Sequence, residues 1–322
     1  MDVTNSTEAL PTVRVDAVYA PKRASWLIDE LWQTAACGII GGQPKCCKSW
    51  LGLDMAVSVA SGTPCLGRFG VEEKGPALVY LAEDSLEQVR DRVGAIGRGR
   101  GLTLAQLDVT LITSPTLRLD TVNDQERLQK TVAEIRPRLL LLDPLVRLHR
   151  LDENNAREIS GLLGYLRELQ RLFDTAVVLT HHASKRANAR PGQGLRGSSD
   201  LHAFGDSNVY LSRQGDEIEL AVEHRAAAAI MPLRLRLVTT GDIIHLRLTA
   251  GVAPTKDDDL PNRVLAHLKQ RQGAGVSRAE LRKDLRINNQ RLGQVLADLL
   301  SAALLAQTPA GFVVNLPTAS PH

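Results

Sequence analysis

The chain has 322 residues, a length that suits two domains better than one. Hydrophobic residues make up 43% of it but aromatic residues only 3%, so its core must be built from Leu, Val, Ile and Ala, as in a parallel sheet covered by helices. The net charge of +3 is too small to indicate a nucleic-acid-binding protein by itself, and any such binding must come from local basic patches.

The compartment is predicted from cysteine usage and from the distribution of apolar residues. None of the four cysteines belongs to a Cys-x-x-Cys pair, which favours reduced thiols in a cytoplasmic protein. The polar, acidic start of the chain does not resemble a signal peptide. Apolar runs of about 18 residues, which a membrane helix needs, do not occur. We therefore expect no membrane partner.

Residues 1–24 show no clear periodicity and are predicted to form an N-terminal arm. Short apolar runs then alternate with helical patterns, and this alternation predicts an α/β domain with a mostly parallel sheet over residues 25–250. The predicted strands are Cys37–Ile40, Ala77–Leu81, Val109–Ile112, Leu139–Leu142 and Ala176–Leu179. The predicted helices are Lys48–Ser61, which Gly62 would end, Ser85–Ile96, Asp124–Ile135 and Asn154–Leu172.

The pattern changes after about Ser207, where strands follow one another through short turns. Gly215-Asp216 and Gly241-Asp242 supply residues that tight turns require, so we expect an antiparallel extension of the sheet. The predicted strands of this extension are Val209–Leu211, Ile218–Val222, Leu233–Val238 and Ile243–Leu248.

A second, smaller domain is predicted at the C-terminal end of the chain. Residues 251–259 include a proline and three successive aspartates and are predicted to be a linker. Residues 260–317 then show three helical patterns and a hairpin with Ala310-Gly311 at its turn, which is the element order of a winged-helix α+β domain. The three helices are predicted at Leu260–Arg271, Arg278–Leu285 and Asn288–Ala303.

The segment Gly42–Trp50 carries the clearest motif. It follows the pattern G-x-x-x-x-G-K-S/T of a phosphate-binding P-loop, lies between a predicted strand and a predicted helix, and departs from the pattern only where Cys47 replaces the second glycine. Lys48 would reach the β- and γ-phosphates of ATP, and Ser49 would hold Mg²⁺. The alternative is a Gly-rich turn before a helix that begins with lysine. The expected nucleotide-binding residues are Gly42, Gln43, Pro44, Lys45, Cys46, Cys47, Lys48, Ser49 and Trp50.

Two carboxylates at strand ends complete the chemistry. Asp143 follows four leucines, the form of a Walker B strand whose aspartate completes the Mg²⁺ shell; alternatively it is a turn aspartate before Pro144. Glu83, just after the predicted strand Ala77–Leu81, is placed to act as general base on the attacking water. In the other interpretation this segment only caps the next helix, through Asp84 or Ser85.

With these motifs the chain resembles the RecA-like ATPases of the plasmid-encoded hexameric replicative helicase RepA type and, more distantly, the DnaB-type ring helicases. The resemblance covers about two thirds of the chain, from Trp26 to about Leu248. The segments that carry it are Pro44-Lys45 with Lys48-Ser49, Ala82-Glu83-Asp84, Leu142-Asp143-Pro144, Val178-Leu179-Thr180-His181-His182 and Arg196-Gly197-Ser198-Ser199-Asp200.

The resemblance implies roles for residues that the motifs alone do not assign. It implies that Glu83 is the catalytic glutamate and that His182, rather than His181, is the γ-phosphate sensor. It also implies that Arg225 reaches the site of the next subunit as an arginine finger, although Glu223 stands where the family has a lysine. The alternatives are strand-end histidines bonded to the backbone and an arginine paired with a surface acid.

Two basic segments are candidates for DNA contact. The first is a loop predicted to contact single-stranded DNA in a ring channel, and its alternative is an ordinary solvated loop. The second is the C-terminal module, whose third helix would read duplex DNA, and its alternatives are protein binding or packing on the ATPase domain. The candidate contact residues are Lys185, Arg186, Arg190 and Arg196 in the loop and Asn289 and Arg291 in the helix.

The sequence thus predicts an oligomeric, ring-forming and hexameric ATPase with ATP and Mg²⁺ as its ligands, acting on DNA as a replicative or plasmid-type helicase. One alternative is an ATP-dependent DNA-binding regulator or loader that unwinds nothing. Another is a nucleotide-binding module with little turnover, which Cys47 and the missing lysine favour. Since Cys47 lies at a helix start beside Lys48, its thiol pKa is expected to be lowered, which would make the empty site sensitive to oxidants; otherwise it simply replaces glycine.

Overall fold

The computed structural model describes residue 9 and residues 11–18, 26–153, 155–183, 199–252, 260–271, 275–285, 289–301 and 304–315. The chain divides into two compact units. The first comprises Met1–Ile230 and Leu235–Thr249, and the second comprises Met231–Arg234 and Ala250–His322. Among the described helices, none combines the length and the apolar character that crossing a bilayer requires.

The first unit alternates strands and helices, as predicted. Its strands are β1 (Trp26–Ile28), β2 (Trp32–Gln33), β3 (Cys37–Gly42), β4 (Ala77–Leu81), β5 (Val109–Leu111), β6 (Leu139–Asp143), β7 (Ala176–His182), β8 (Ser207–Gln214), β9 (Glu217–His224), β10 (Leu233–Thr240) and β11 (Ile243–Val252). Its helices are α1 (Lys48–Ser61), α2 (Leu86–Arg98), α3 (Val122–Ile135), α4 (Ala156–Phe173) and α5 (Ser199–Phe204).

Nine strands form one sheet in the order β11-β10-β9-β8-β3-β7-β6-β4-β5. The strands from β8 to β5 in this order all run parallel, and β9 pairs antiparallel with β8. The α/β class with a mostly parallel sheet is therefore confirmed. Parallel strands place all their carboxyl ends at one edge of the sheet, and ligands bind at this edge in open α/β folds.

The core explains why the strands appear as continuous apolar runs in the sequence. Every residue of β3, β4 and β6 is buried, because helices cover both faces of the parallel sheet. On one face, leucines of α4 pack against leucines and valines of β6 and β7. The core consists mostly of aliphatic side chains, as expected from the scarcity of aromatic residues. Trp32 of β2 is also fully buried, and its indole N–H donates to the carbonyl oxygen of Ala36.

Several features differ from the sequence-based expectation. The predicted strand Val209–Leu211 is part of β8, which pairs parallel with β3, so the antiparallel extension begins one strand later, at β9. The β1–β2 hairpin and α5 were not predicted, because both elements are too short to show a periodic pattern. The end of β11 reaches Val252 and enters the predicted linker, of which residues 253–259 lie outside the described residues.

The second unit contains the predicted order of three helices and a hairpin. These elements are α6 (Leu260–Gln270), α7 (Arg278–Leu285), α8 (Asn289–Ser301), β12 (Leu305–Thr308) and β13 (Gly311–Val314), and the two strands pair antiparallel. Val264, Leu281, Leu292 and Phe312 belong to one separate apolar core. A core of its own is what an independently folding domain requires.

Candidate nucleotide site

The turn between β3 and α1 has the backbone conformation of a phosphate-binding loop. Lys45 and Cys47 both adopt the left-handed conformation, with φ values of 64° and 66°. Gly42 begins the turn, and a Cβ there would lie 2.5 Å from the carbonyl oxygen of Leu211 and 2.6 Å from Sγ of Cys46, so only glycine fits. Turns of this kind point successive N–H groups inward and create an anion-binding concavity.

Lys48, the first residue of α1, is folded back onto this loop. Its Nζ donates to the carbonyl oxygens of Gly42 and Gln43 at 3.0 and 2.9 Å, and the residue is 7% exposed. A buried ammonium group needs acceptors, and the loop itself supplies them here. The ammonium group thus lies at the loop, where phosphate oxygens could replace the two carbonyl oxygens as its hydrogen-bond acceptors.

Four adjacent parallel strands bring the predicted catalytic residues to the same edge of the sheet. In the order β3-β7-β6-β4, the strands end at Gly42, His182, Asp143 and Leu81, and the register pairs Gly42 with His182 and Leu81 with Asp143. The strand pattern of the sequence predicted Glu83 just after this strand, and it follows Leu81 by two residues. Residues 140 positions apart in sequence therefore form one site.

Asp143 lies at the bottom of the site and is 6% exposed. Burial raises the pKa of its carboxyl group, against the opposing effects of the Ser49 and Thr180 hydroxyls and of Lys48. Thr180 donates to Oδ1, but Oδ2 is buried and has no geometrically defined hydrogen bond among the described residues. A carboxylate oxygen without a partner beside the Ser49 hydroxyl suits a Mg²⁺ ion, which prefers oxygen ligands. The donor set therefore fits the predicted metal.

His182 lies beside Lys48, with 3.4 Å between Nδ1 of the histidine and Nζ of the lysine. Burial first, and then the positive charge of Lys48, lower the pKa of His182. A neutral imidazole that carries its proton on Nε2 can accept a hydrogen bond at Nδ1 and still donate one from Nε2–H. His181, by contrast, faces away into a buried group, where its Nδ1 lies 3.8 Å from Oε1 of Glu153. The geometry thus favours His182 over His181 as the residue at the phosphate side.

Glu83 is a surface carboxylate that is already engaged. Its Oε1 accepts from Nε of Arg147 at 2.7 Å. The capping role that the sequence left open belongs to Ser85, which forms a capping box with Gln88 at the start of α2. Asp84 instead receives a bidentate pair from Arg92, at 2.7 and 2.9 Å. Glu83 is therefore not needed to begin the helix.

Arg225 lies at the opposite edge of the sheet from the phosphate loop. It follows β9, whose end is level with the amino end of β3. The phosphate loop follows the carboxyl end of β3, and this strand is about 16 Å long at the usual rise per residue. Its guanidinium pairs with Asp206 at 3.2 Å and donates to the carbonyl of Ala203. Arg225 thus does not contribute to the site of its own chain, and a finger role requires a neighbouring subunit.

The structure corrects the expectation about Cys47. Burial raises the pKa of its thiol above the ordinary value, and the lowering effects of Arg213 and Lys48 are smaller. The thiol pKa of Cys46, which is fully buried, is raised for the same reason. The expected reactive thiolate at the helix start was wrong, because desolvation of the thiol outweighs the two nearby cations.

The predicted DNA contacts remain predictions. Lys185, Arg186, Arg190 and Arg196 lie outside the described residues. Asn289 and Arg291 begin α8, as expected, but their side chains are also outside the described part of the chain.

Two arginines near the site had no signal in the sequence. Arg147 reaches Glu83 across 64 positions, and Arg213 of β8 donates from Nη1 to the carbonyl oxygen of Lys45 at 3.0 Å. Neither belongs to a motif, so only the neighbour relations in the sheet reveal them. For Arg213 the relevant relation is that β8 lies next to β3 in the sheet, a strand order that the sequence did not predict.

One family model and two solved structures are similar to this chain. The AAA domain family matches residues 4–188, which is more than half of the chain. A DnaB-like replicative helicase, described with its interactions with primase, gives a TM-score of 0.51 at 14% identity over 66% of this chain and 57% of its own. The RadB recombinase gives a TM-score of 0.48 at 15% identity over 66% of this chain and 90% of its own.

Of the two solved structures, the helicase alone has a TM-score above 0.5. This chain spans little more than half of the helicase chain, and an identity of 14% shows a shared fold and nothing further. The family match rests on the segment that contains β3, β4, β6 and β7, whose carboxyl ends form the site just described. The chain therefore belongs to the AAA domain family, and its first unit has the RecA-like P-loop fold.

Proposed function

We propose that this protein is a Mg²⁺-dependent ATPase that acts on DNA as a ring-forming homo-oligomer, with a hexameric helicase of the plasmid RepA type as the most specific version. The observation that carries the proposal is the convergence of the phosphate loop with Lys48, of His182, of Asp143 and of Glu83 at the carboxyl ends of four adjacent strands. A lysine at the phosphates and an aspartate at Mg²⁺ are parts that phosphoryl transfer in P-loop enzymes uses, and Glu83 adds a carboxylate that can act on the attacking water.

The chain's own residues would act in a simple order. The loop N–H groups and Lys48 bind the β- and γ-phosphates, and Lys48 gives up its bonds to the carbonyls of Gly42 and Gln43 as it does so. Ser49 and Asp143 would hold Mg²⁺, which supplies positive charge to the phosphates when it is bound. Glu83 accepts a proton from the attacking water, and His182 contacts the γ-phosphate side through its imidazole.

The oligomer enters the proposal through Arg225 and through the basic segments. Arg225 would complete the site of a neighbouring subunit, because it does not reach its own. The loop with Lys185, Arg186, Arg190 and Arg196 would follow single-stranded DNA in the channel, and a winged-helix module over residues 260–317 would contact duplex DNA through Asn289 and Arg291.

The test combines steady-state phosphate release with a strand-displacement assay on forked DNA. The proposal expects Mg²⁺-dependent hydrolysis that single-stranded DNA stimulates, loss of ATP binding in Lys48→Ala, and retained binding without turnover in Glu83→Gln. Losing a positioned base lowers the rate about 10²–10⁴-fold. Hydrolysis without unwinding would favour the regulator or loader, and tight ATP binding by Lys48→Ala would remove the P-loop assignment.

A second candidate is a nucleotide-binding module with little turnover. One specific observation favours it: Glu83 and Arg225 are both engaged in ion pairs, with Arg147 and Asp206. Phosphate release distinguishes this candidate, which expects no multiple turnover at any DNA concentration.

A further inference from the structure

The contact between Glu83 and Arg147 ties the proposed general base to a neighbouring cation. Oε1 of Glu83 accepts from Nε of Arg147 at 2.7 Å; Oε2 keeps its lone pairs, but the ion pair fixes the orientation of a carboxylate that must turn toward the attacking water. Both side chains are about half exposed, at 60% for Arg147 and 49% for Glu83. Exposed ion pairs contribute little net stability, so this pair exchanges readily when a better anion for Arg147 arrives.

Arg147 belongs to a short turn that directly follows the Asp143 strand. This turn is joined to the segment before α3: Leu119 N–H donates to the carbonyl of Leu148 at 2.6 Å, and the guanidinium of Arg118 donates to the carbonyl of Arg147. The two segments therefore bring Arg118 and Arg147 to the same cleft as Glu83.

These residues line an open cleft of about 360 Å³. Arg118 makes no ion pair with a carboxylate among the described residues, and its Nε is buried without a hydrogen-bond partner there. Glu83 is the only acid among the lining residues, so the two arginines give the cleft an excess of positive charge. The cleft is lined by Tyr80, Ala82, Glu83, Pro115, Thr116, Arg118 and Arg147.

We infer that this cleft binds a backbone phosphate of a nucleic-acid strand, and that this phosphate takes Arg147 away from Glu83 and so frees the base. Guanidinium groups bind phosphates through two parallel hydrogen bonds, whereas the contact with Glu83 runs from Nε to one carboxylate oxygen. Arg150, three positions further along the same loop, is exposed and can contact the next phosphate of the nucleic-acid strand. The inference rests on the proposed function and gives it a direct coupling between strand binding and hydrolysis.

The test measures strand affinity without any nucleotide, by fluorescence anisotropy of a labelled oligothymidylate. Glu83→Gln removes the competitor for Arg147, so its Kd should fall about two- to fivefold, the range that an exposed ion pair is worth. Arg147→Ala should weaken binding and reduce the salt slope by about 0.7, one phosphate contact to a single strand. The double variant should match Arg147→Ala, and Arg147→Lys should keep the wild-type salt slope.

Glu73→Gln is the matched control. Glu73 is also about half exposed and pairs with an arginine, Arg138, at 2.6 Å, but that pair lies near the amino ends of β4 and β6. Its removal should leave strand affinity unchanged. An equal gain in Glu73→Gln would assign the effect to net charge and overturn the inference. An unchanged Kd in Glu83→Gln would also overturn the inference, and this is the result expected if the cleft takes only free phosphate. A gain in strand affinity that persists in the double variant would overturn it as well.

Hydrolysis gives an independent readout. Arg147→Ala should raise the strand-free ATPase rate and lower the stimulation by single-stranded DNA, whereas loss of a merely structural arginine would lower both rates and keep their ratio. Failure of the proposed function is visible separately in the wild-type chain. If the wild-type chain hydrolyses no ATP but binds the strand, the affinity measurements still test the inference. If it binds no strand, both the inference and the proposed function are wrong.

Discussion

Nζ of Lys48 lies 3.4 Å from Nδ1 of His182, and the same Nζ donates to the carbonyl oxygens of Gly42 and Gln43 in the phosphate loop. A protonated imidazole at this place would add a second positive charge beside the ammonium group. Burial first, and then the charge of Lys48, lower the pKa of His182, so the histidine is neutral at neutral pH. The pair thus presents one charge and one neutral hydrogen-bonding ring to a phosphate.

The lowered pKa values predict how stability depends on pH. His149, His182 and His224 all have lowered pKa values in the folded protein, with burial as the main cause. The unfolded chain therefore binds more protons just below pH 6.5, and the free energy of unfolding should fall as pH drops from about 7 to 5, by at most about 1.4 kcal/mol per pH unit for each histidine. Urea denaturation at a series of pH values measures this slope.

His182→Gln should make this slope shallower, because one of the three contributing histidines is gone. A slope that is flat in the wild-type chain, or unchanged in His182→Gln, would contradict the electrostatic account. The Asp143 carboxyl, whose pKa is raised, acts with the opposite sign at lower pH: its contribution falls as pH rises above the unfolded value.

Asp143→Asn should separate stability from metal binding. Removing a buried charge whose Oδ2 lacks a partner relieves a desolvation penalty, so the nucleotide-free protein should gain about 1 kcal/mol in the free energy of unfolding, or a few degrees in Tm. The amide keeps an oxygen for the Thr180 hydroxyl. The Tm increase produced by Mg²⁺ and ATP should shrink in the same variant.

Thr180→Val is the matched control for this prediction, since it leaves the charge but removes the hydroxyl that stabilises it. It should lower the Tm of the nucleotide-free protein, in the opposite direction from Asp143→Asn. A lower Tm in Asp143→Asn as well would show that the carboxylate stabilises the empty site, and the desolvation argument would then be wrong.

Cys47→Gly tests the departure from the P-loop pattern. Cys47 has a φ of 66°, and the left-handed conformation disfavours a non-glycine residue by about 1–2 kcal/mol. Glycine loses about 0.4–1 kcal/mol through the entropy of the unfolded chain, so the variant should be more stable by about 0.5–1 kcal/mol. Cys47→Ala, which keeps the Cβ, should show no such gain in urea denaturation.

The same variant tests thiol reactivity. Since burial raises the pKa of Cys47, mild peroxide should affect the parent and Cys47→Gly equally. Selective protection of the glycine variant would show that the thiol is reactive in spite of its burial.

Arg225→Ala tests whether subunits share sites. Mixed with Lys48→Ala protein, it should recover part of the ATPase activity, because some interfaces then combine an intact Lys48 with an intact Arg225. An arginine finger in trans is worth about 10³–10⁵-fold in rate. Arg167→Ala is the control: this arginine pairs with the same Asp206 but gives no finger, so it should retain activity when alone. If no mixing ratio restores activity, each site is complete within one chain.

The features that depend on local order along the chain could be predicted from the sequence alone. The strand, glycine turn and lysine at a helix start predict the phosphate loop, and four leucines before Asp143 predict a buried strand that ends in a carboxylate. The end of α1 was predictable for the same reason, because Gly62 ends this helix in the left-handed conformation. The α/β class followed from the alternation of such segments.

Three other features follow from the folded structure and could not be predicted: the direction of β8, the pairing of Glu83 with Arg147, and the raised thiol pKa of Cys47. Each depends on which strands become neighbours and on how much water the packing removes. Strand direction, an ion pair across 64 positions and desolvation leave no periodic signal in the chain, because they arise from contacts between segments that are distant in sequence.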